Sequence, residues 1–144
     1  MPSPCGPSTR PCESCPYRRD VPAGIWAQVE YDKPREYDAD TADQPTGVFF
    51  CHQADVVSDT SRVCAGWSGC HESDELLALR LAVITGCMDP ITFTAVVDYE
   101  SPVPLFSPGR EAANHGQAGI DKPGSEARHM ISKITRTRTN LVWE

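Results

Sequence analysis

The chain has 144 residues and a formal net charge of −7, and no apolar stretch is long enough to cross a membrane as a helix. Only 27 residues are Leu, Ile, Val or Phe, whereas there are 13 prolines and 10 glycines, so we expect one loop-rich domain with a thin hydrophobic core. Because no apolar run of a secretory signal follows Met1, we expect a cytoplasmic protein. In a reducing compartment, seven cysteines favour metal binding or thiol chemistry over structural disulfides.

The charges are unevenly distributed along the chain. Residues 122–138 contain five basic residues and one acidic residue, against eight basic and nineteen acidic residues elsewhere. An acidic body is a poor general binder of nucleic acid, because neutralisation of phosphates supplies most of the non-specific affinity. A local contact remains open through the basic residues Arg128, Lys133, Arg136 and Arg138.

The first half of the chain is predicted to contain few regular elements. After a disordered segment over 1–11, the apolar spacing of residues 23–31 predicts a short helix that Pro34 ends. A polar loop is expected over 32–46. The β-prone residues 47–51 then predict a short strand.

The second half is predicted to be mainly helical. Ser73 is expected to cap an apolar helix that ends at Gly86, and because apolar residues occupy all of its faces we expect it to be the central core helix. Arg80 in this helix is either a surface arm or a buried charge that needs a partner. Cys87 is expected in the core. The other elements are a helical turn over 62–70, a strand or helix over 91–97, a helix over 107–116 and a last helix over 125–135.

These elements predict a mainly α fold with short strands and long loops, a small α+β protein organised around a four-cysteine metal site. A single domain is expected over 12–121, followed by a basic helix and tail over 122–144.

The spacing of the cysteines suggests which of them bind the metal. Cys12 and Cys15 form a Cys-x-x-Cys turn, which can place two thiolates on one centre because the backbone curls around it. Cys51 follows the predicted strand, and Cys64 lies in a Cys-Ala-Gly-Trp sequence whose small residues allow a close approach of the backbone. The predicted ligands are therefore Cys12, Cys15, Cys51 and Cys64.

The identity of the centre is less constrained by the sequence. Four cysteines with a proline directly after Cys15 suit an iron–sulfur cluster, most naturally [4Fe–4S]. Zinc is the close alternative, although structural zinc sites often use two Cys-x-x-Cys turns and only one is present. Residues expected around the ligands, as reserve ligands or as supporting groups, are Arg18, Arg19, His52, Trp67, Cys70 and His71.

The sequence contains no recognisable catalytic motif, so no catalytic residue is assigned. Two functions remain. The first is a non-enzymatic, metal-stabilised module that regulates or binds an unidentified protein partner. The second is a thiol oxidoreductase that uses Cys12 and Cys15 as a dithiol. The first is preferred, because a catalytic Cys-x-x-Cys normally lies at a strand-to-helix junction and this one precedes every predicted strand.

Several short motifs together resemble those of a family of short, cysteine-rich actinobacterial and actinobacteriophage proteins of unknown function. The resemblance covers residues 12–86 and, more weakly, 103–116. It implies a protein of a bacterium or its phage and supplies no reaction. The motifs are Cys12-x-x-Cys15-Pro-Tyr-Arg, Val21-Pro-x-Gly-x-Trp26, Phe50-Cys51-His52-Gln53, Cys64-Ala-Gly-Trp67 and Leu77-Ala-Leu-Arg80-Leu-Ala.

Overall fold

The computed structural model describes residues 4–51 and 62–135. Within these ranges the chain is mainly helical, as predicted, and β-structure is limited to isolated bridges. None of the described helices is long and apolar enough to cross a membrane. The helices are α1 (Gln28–Glu36), α2 (Ala65–Cys70), α3 (Leu77–Ile84), α4 (Pro90–Val97), α5 (Gly109–Gln117) and α6 (Ser125–Thr135), with 3-10 turns over Thr41–Asp43 and Ser73–Glu75.

Helix α1 begins five residues later than the sequence predicts and continues past Pro34. The residues of its predicted first turn stay outside the helix: Gly24 has a φ of +82°, and the backbone N–H groups of Ile25 and Trp26 donate to Tyr31 Oη at 2.9 and 3.2 Å. Pro34 has no N–H to offer the carbonyl of Glu30, and the helix ends two residues beyond the proline. The predicted loop over 32–46 therefore starts only after α1.

The predicted strand over 47–51 is reduced to one antiparallel bridge between Phe50 and Val63. Hydrogen bonds on either side of it join Cys51 N–H to the Arg62 carbonyl and Cys64 N–H to the Phe49 carbonyl, both at 2.8 Å. This pairing is too short to count as a strand, so the α+β part of the prediction is not met in the described residues.

The segment before Cys12 was predicted to be disordered. The described part of this segment contacts the Phe50–Val63 bridge. Cys5 forms a parallel bridge with Arg62, and the Cys5 carbonyl accepts the Val63 N–H at 3.0 Å. The domain boundaries after residues 11 and 121 stay a prediction.

Helix α3 is shorter and less buried than predicted. Ser73 begins a 3-10 turn, and α3 starts only at Leu77. Ala78 and Leu79 are its buried residues, whereas Val83 is 44% and Ile84 79% exposed. The expectation of a central core helix was wrong, because an all-round apolar sequence does not require that every face be covered.

The structure also decides between the two alternatives for Arg80 and corrects the prediction for Cys87. Arg80 is an exposed arm whose guanidinium donates to the backbone carbonyl of Asp74, so it needs no buried acid. Cys87 is exposed and does not lie in the core.

The remaining helices agree more closely with the sequence. Residues 91–97 belong to a helix, because the Asp89 carboxylate accepts the Thr92 N–H at 2.7 Å and Pro90 suits the first helical position. Helix α6 has the predicted bounds. Helix α5 begins at Gly109, with Pro108 rather than Ser107 in the cap position.

The core consists of two apolar clusters. One surrounds Cys15, Cys64 and Trp67 and includes side chains of α2, α3, α4 and α5. The other is built by the extended residues before α1, by Tyr31 and by the inner face of α6. Helices α1 and α5 pack closely, and a Cβ at Gly116 would lie 2.0 Å from the Tyr31 ring.

Replacing Tyr31 with Phe should destabilise the protein by about 1–3 kcal/mol, because two buried backbone N–H groups lose their acceptor. Urea unfolding of the variant and of the parent protein measures this difference. Tyr99→Phe is the matched control, since the Tyr99 hydroxyl donates a more exposed hydrogen bond to the Thr9 carbonyl. Equal unfolding midpoints for Tyr31→Phe and the control would contradict the assigned role.

Candidate functional site

The Cys12–Cys15 turn is held from three sides. The Cys15 N–H donates to the Cys12 carbonyl at 3.0 Å and closes the turn itself. The Arg18 guanidinium donates to the Pro11 carbonyl at 3.0 Å, and the Trp26 indole donates to the Ser14 carbonyl at 2.8 Å. These bonds fix the backbone from which both thiols project.

Cys51 and Cys64 come from the two sides of the Phe50–Val63 bridge described above. Cys64 is also the N-terminal cap of α2, where its sulfur accepts the backbone N–H of Trp67 at 3.5 Å. Such N–H···S bonds favour negative charge on the sulfur. The bridge and the first turn of α2 thus place Cys51 and Cys64 on neighbouring segments of the backbone.

The four predicted ligand thiols interact in pairs. Cys12 interacts with the thiols of Cys15 and Cys51, and Cys15 interacts with the thiol of Cys64. The contacts run in the order Cys51–Cys12–Cys15–Cys64. Cys15 and Cys64 are buried, and Cys12 and Cys51 are half-buried.

This proximity disfavours thiolates when nothing compensates their charge. The interaction with Cys15 and, after it, burial raise the pKa of Cys12 to about 12, although the interaction with Cys51 acts in the opposite direction. The Cys12 contact lowers the pKa of Cys15, but the Cys64 contact and burial outweigh it and hold that pKa well above its usual range. Both groups are therefore neutral thiols at pH 7.

Gly66 makes the close packing around Cys15 possible. A Cβ at this position of α2 would lie 2.4 Å from Cys15 Sγ and 2.7 Å from the Tyr17 Cβ. Any other residue would force the sulfur or the helix to move. The small residues after Cys64 were expected to permit such an approach.

The meeting of the thiols does not amount to a formed metal site. Within residues 4–51 and 62–135, no group of three or more His, Cys, Asp or Glu side chains is arranged so that it could hold a metal ion. The structure contains only the pairwise thiol contacts described above.

The residues expected around the ligands are dispersed. Arg18 lies near the turn, and its hydrogen bond to the Asp20 carboxylate raises its pKa. Arg19 points elsewhere, with its guanidinium 4.9 Å from the centre of the Phe106 ring. Trp67 is fully buried, and its indole N–H has no hydrogen-bond partner among the described residues. His52 lies outside the described residues.

Cys70 and His71, the other two reserve ligands, belong to a separate polar group. His71 Nε2 lies 3.1 Å from Tyr17 Oη, and His71 Nδ1 lies 3.5 Å from Asp38 Oδ1. Burial lowers the pKa of His71 to about 4, and the nearby Asp38 carboxylate opposes this change only in part. Burial likewise raises the pKa of Cys70 to about 12, with smaller contributions from Asp38 and Glu111.

Asp38 is a structural residue that the sequence interpretation missed. Its carboxylate accepts the backbone N–H groups of Gly109 and Arg110 at 2.9 and 2.6 Å, and so caps α5 from a distant part of the chain. The local sequence holds no signal for this cap, because Asp38 lies in a segment that reads as an acidic loop.

The basic segment near the C-terminus is only partly described. Arg128 is exposed on α6, whereas Lys133 Nζ pairs with Glu13 Oε1 at 2.6 Å. Arg136 and Arg138 lie outside the described residues. The ion pair ties α6 to the residue that follows Cys12.

The chain can now be compared with known proteins. A model of the family of unknown function DUF6283 matches residues 7–138. The chain belongs to this family. Membership of an unknown-function family was predicted, but the DUF6283 match extends beyond the motifs that suggested it. The expected actinobacterial or phage origin stays a prediction. No curated protein and no solved structure matches the chain.

Replacing Gly66 of this DUF6283 protein with Ala should destabilise it by about 1–3 kcal/mol, because the added methyl group displaces the Cys15 sulfur. Alanine has a higher helix propensity than glycine, so a loss of stability in Gly66→Ala would have to come from the steric clash and not from the helix itself. Gly47→Ala is the control, as nothing lies within 4 Å of the added Cβ. Urea unfolding is the measurement, and a Gly66→Ala variant as stable as the control would refute the contact.

The His71 pKa of about 4 predicts a pH dependence of stability. Because the ordinary pKa of histidine is 6.5, the unfolded chain binds a proton at His71 more tightly than the folded chain does. The stability gained from burying the neutral His71 ring is therefore fully present above pH 6.5 and is lost as the pH falls to 4. It amounts to about 3 kcal/mol. Unfolding free energies of the parent protein and of His71→Gln should converge over that interval; parallel curves would contradict the assignment.

Proposed function

We propose that this DUF6283 protein is a non-enzymatic regulatory or protein-interaction module that folds around a metal centre held by four cysteines. The observation that carries the proposal is the series of pairwise interactions that links Cys51 to Cys12, Cys12 to Cys15 and Cys15 to Cys64. These residues come from three separate parts of the chain, and they are the set that the spacing alone predicts. Iron–sulfur and zinc centres both use such a set.

Binding requires a rearrangement of the thiols, because the described residues contain no group of three or more side chains already arranged to hold a metal ion. Four ligands around a common centre have six pairwise contacts, of which the row Cys51–Cys12–Cys15–Cys64 already contains three. Metal binding would have to bring the remaining three pairs of thiols together. The metal would replace the protons that the buried thiols otherwise retain, since a coordinated thiol is deprotonated.

The local charges and donors are compatible with a negatively charged centre. The Trp67 N–H already donates to Cys64 Sγ at 3.5 Å, and Arg18 lies beside the Cys12–Cys15 turn. Four thiolates on a divalent ion leave a net charge of −2, which such groups stabilise. Arg18 contributes only part of its charge, because Asp20 also binds it at 2.8 Å.

A metal centre would also compensate for the limited core. It would link the Cys12–Cys15 turn, the bridge at Phe50 and the start of α2, which are otherwise joined by few hydrogen bonds. Small domains with few apolar residues commonly need a staple of this kind. All seven cysteines are free thiols, as a reducing cytoplasm would keep them.

The alternative function, a thiol oxidoreductase using Cys12 and Cys15, receives less support. A catalytic dithiol needs an accessible sulfur of low pKa. Cys15 is fully buried, and the pKa of Cys12 is raised to about 12. Of the basic residues that could contact nucleic acid, Arg128 and Lys133 are exposed in the structure, and Lys133 is paired with Glu13.

The test is metal analysis and ultraviolet–visible spectroscopy of the full chain purified without oxygen. We expect bound metal in the parent protein and its loss by at least tenfold in Cys51→Ser and Cys64→Ser. Cys87→Ser is the matched control, because Cys87 is exposed and distant in sequence from the four ligands. It should retain the metal.

Two results would contradict the proposal. One is a parent protein free of metal under these conditions. The other is disulfide reductase turnover that persists in Cys51→Ser and Cys64→Ser, because a dithiol enzyme needs only Cys12 and Cys15.

A further inference from the structure

We infer that the outer sides of α3 and α4 form a docking surface for a basic, amphipathic segment of a partner protein. This inference rests on the protein-interaction part of the proposed function and does not depend on the metal centre. The surface, named the α3–α4 face, consists of the exposed residues Val83, Ile84, Cys87, Ile91 and Val97.

The α3–α4 face gathers most of the exposed apolar side chains of the described residues. Ile84 is 79% and Ile91 83% exposed, and Val83 and Val97 are exposed beside them in the sequence. Among the described residues, Val29 on α1 is the only other large apolar side chain that is exposed. Exposed apolar residues that occur singly are ordinary, whereas a patch of them with a polar rim is typical of an interaction site.

The connection between the two helices keeps the face together. The backbone N–H groups of Cys87 and Met88 both donate to the Ala82 carbonyl, at 2.9 and 3.1 Å. The chain therefore folds back on the last turn of α3 before α4 begins, and the two helices contact each other. Ile84 at the end of α3 and Ile91 at the start of α4 thus lie on either side of one tight turn.

The charged residues around the face are almost all acidic. Residues 72–100 expose six carboxylates and a single basic side chain. The basic side chain is Arg80, whose guanidinium is already engaged with the Asp74 carbonyl. The apolar patch therefore has a negative rim, which attracts cationic partners and raises their local concentration. The acidic residues are Glu72, Asp74, Glu75, Asp89, Asp98 and Glu100.

The negative rim decides which occupant the face accepts. A second copy that docked through the same face would bring two acidic rims together, and opposed like charges disfavour such a contact. An anionic lipid surface is disfavoured for the same reason. A segment that carries apolar side chains on one side and Lys or Arg beside them complements both features, since its apolar residues cover the isoleucines and its cations face the carboxylates.

The probe is a synthetic helical peptide of leucine and lysine, compared with the same peptide in which glutamate replaces every lysine. Fluorescence polarisation measures binding of each labelled peptide to the full chain at low and high salt. We expect the lysine peptide to bind and the glutamate peptide not to bind. Ile84→Ser and Ile91→Ser should each weaken binding by about tenfold, because a central apolar anchor is lost.

The matched control is Val29→Ser, which removes an exposed apolar side chain from α1 and should bind the lysine peptide as the parent protein does. Since all three substitutions are at exposed positions, their urea unfolding midpoints should agree. Asp98→Asn together with Glu100→Gln should weaken binding and reduce its dependence on salt, because both carboxylates belong to the rim.

Three results would overturn the docking surface. The first is equal binding of the lysine peptide to the parent, Ile84→Ser and Ile91→Ser. The second is a dimer in analytical ultracentrifugation that Ile84→Ser disperses, which would assign the face to a second copy. The third is binding to vesicles of anionic lipid that Ile91→Ser abolishes, which would assign the face to a membrane.

The metal content of the same preparations separates this inference from the proposed function. Ile84→Ser and Ile91→Ser should retain the metal of the parent protein, because neither residue is a predicted ligand. A parent protein that binds the lysine peptide but contains no metal would overturn the metal centre and support the docking surface. A parent protein that contains metal but binds neither peptide would overturn the docking surface alone.

Discussion

The contact between the Cys15 sulfur and the backbone of Gly66 is the constraint on which the rest of the site depends. It sets the distance between the Cys12–Cys15 turn and α2, and it leaves no room for a larger residue in the helix. Through it, the Cys64 cap and the neighbouring Phe50–Val63 bridge are brought within reach of Cys12. A chain with so few large apolar residues thereby gains a dense centre at the place where three segments meet.

A polar network extends this centre to the other side of the molecule. Tyr17, two residues after Cys15, contacts His71 at the end of α2, and His71 faces Asp38 beyond α1. Asp38 in turn caps α5, which packs against α1. Because each member is largely buried and has a partner, the network adds polar links between elements that also share apolar contacts. It explains why His71, a plausible ligand by sequence, is engaged elsewhere.

The burial of the thiols bears on the two functions considered for the chain. Burial and mutual repulsion keep Cys12 and Cys15 protonated, which suits groups that a metal deprotonates and does not suit a dithiol that must attack a substrate.

The sequence by itself determined the helical character of the chain, its membership of an unknown-function family and the bounds of α6. These follow from local periodicity and from the chemistry of cysteine spacing. Only the tertiary structure decided that α1 begins after Trp26, because the Tyr31 hydroxyl takes the N–H groups that a helix would have used. It also decided that Asp38 caps α5 and that Val83 and Ile84 stay exposed, because partners distant in the sequence determine both, and no local pattern encodes them.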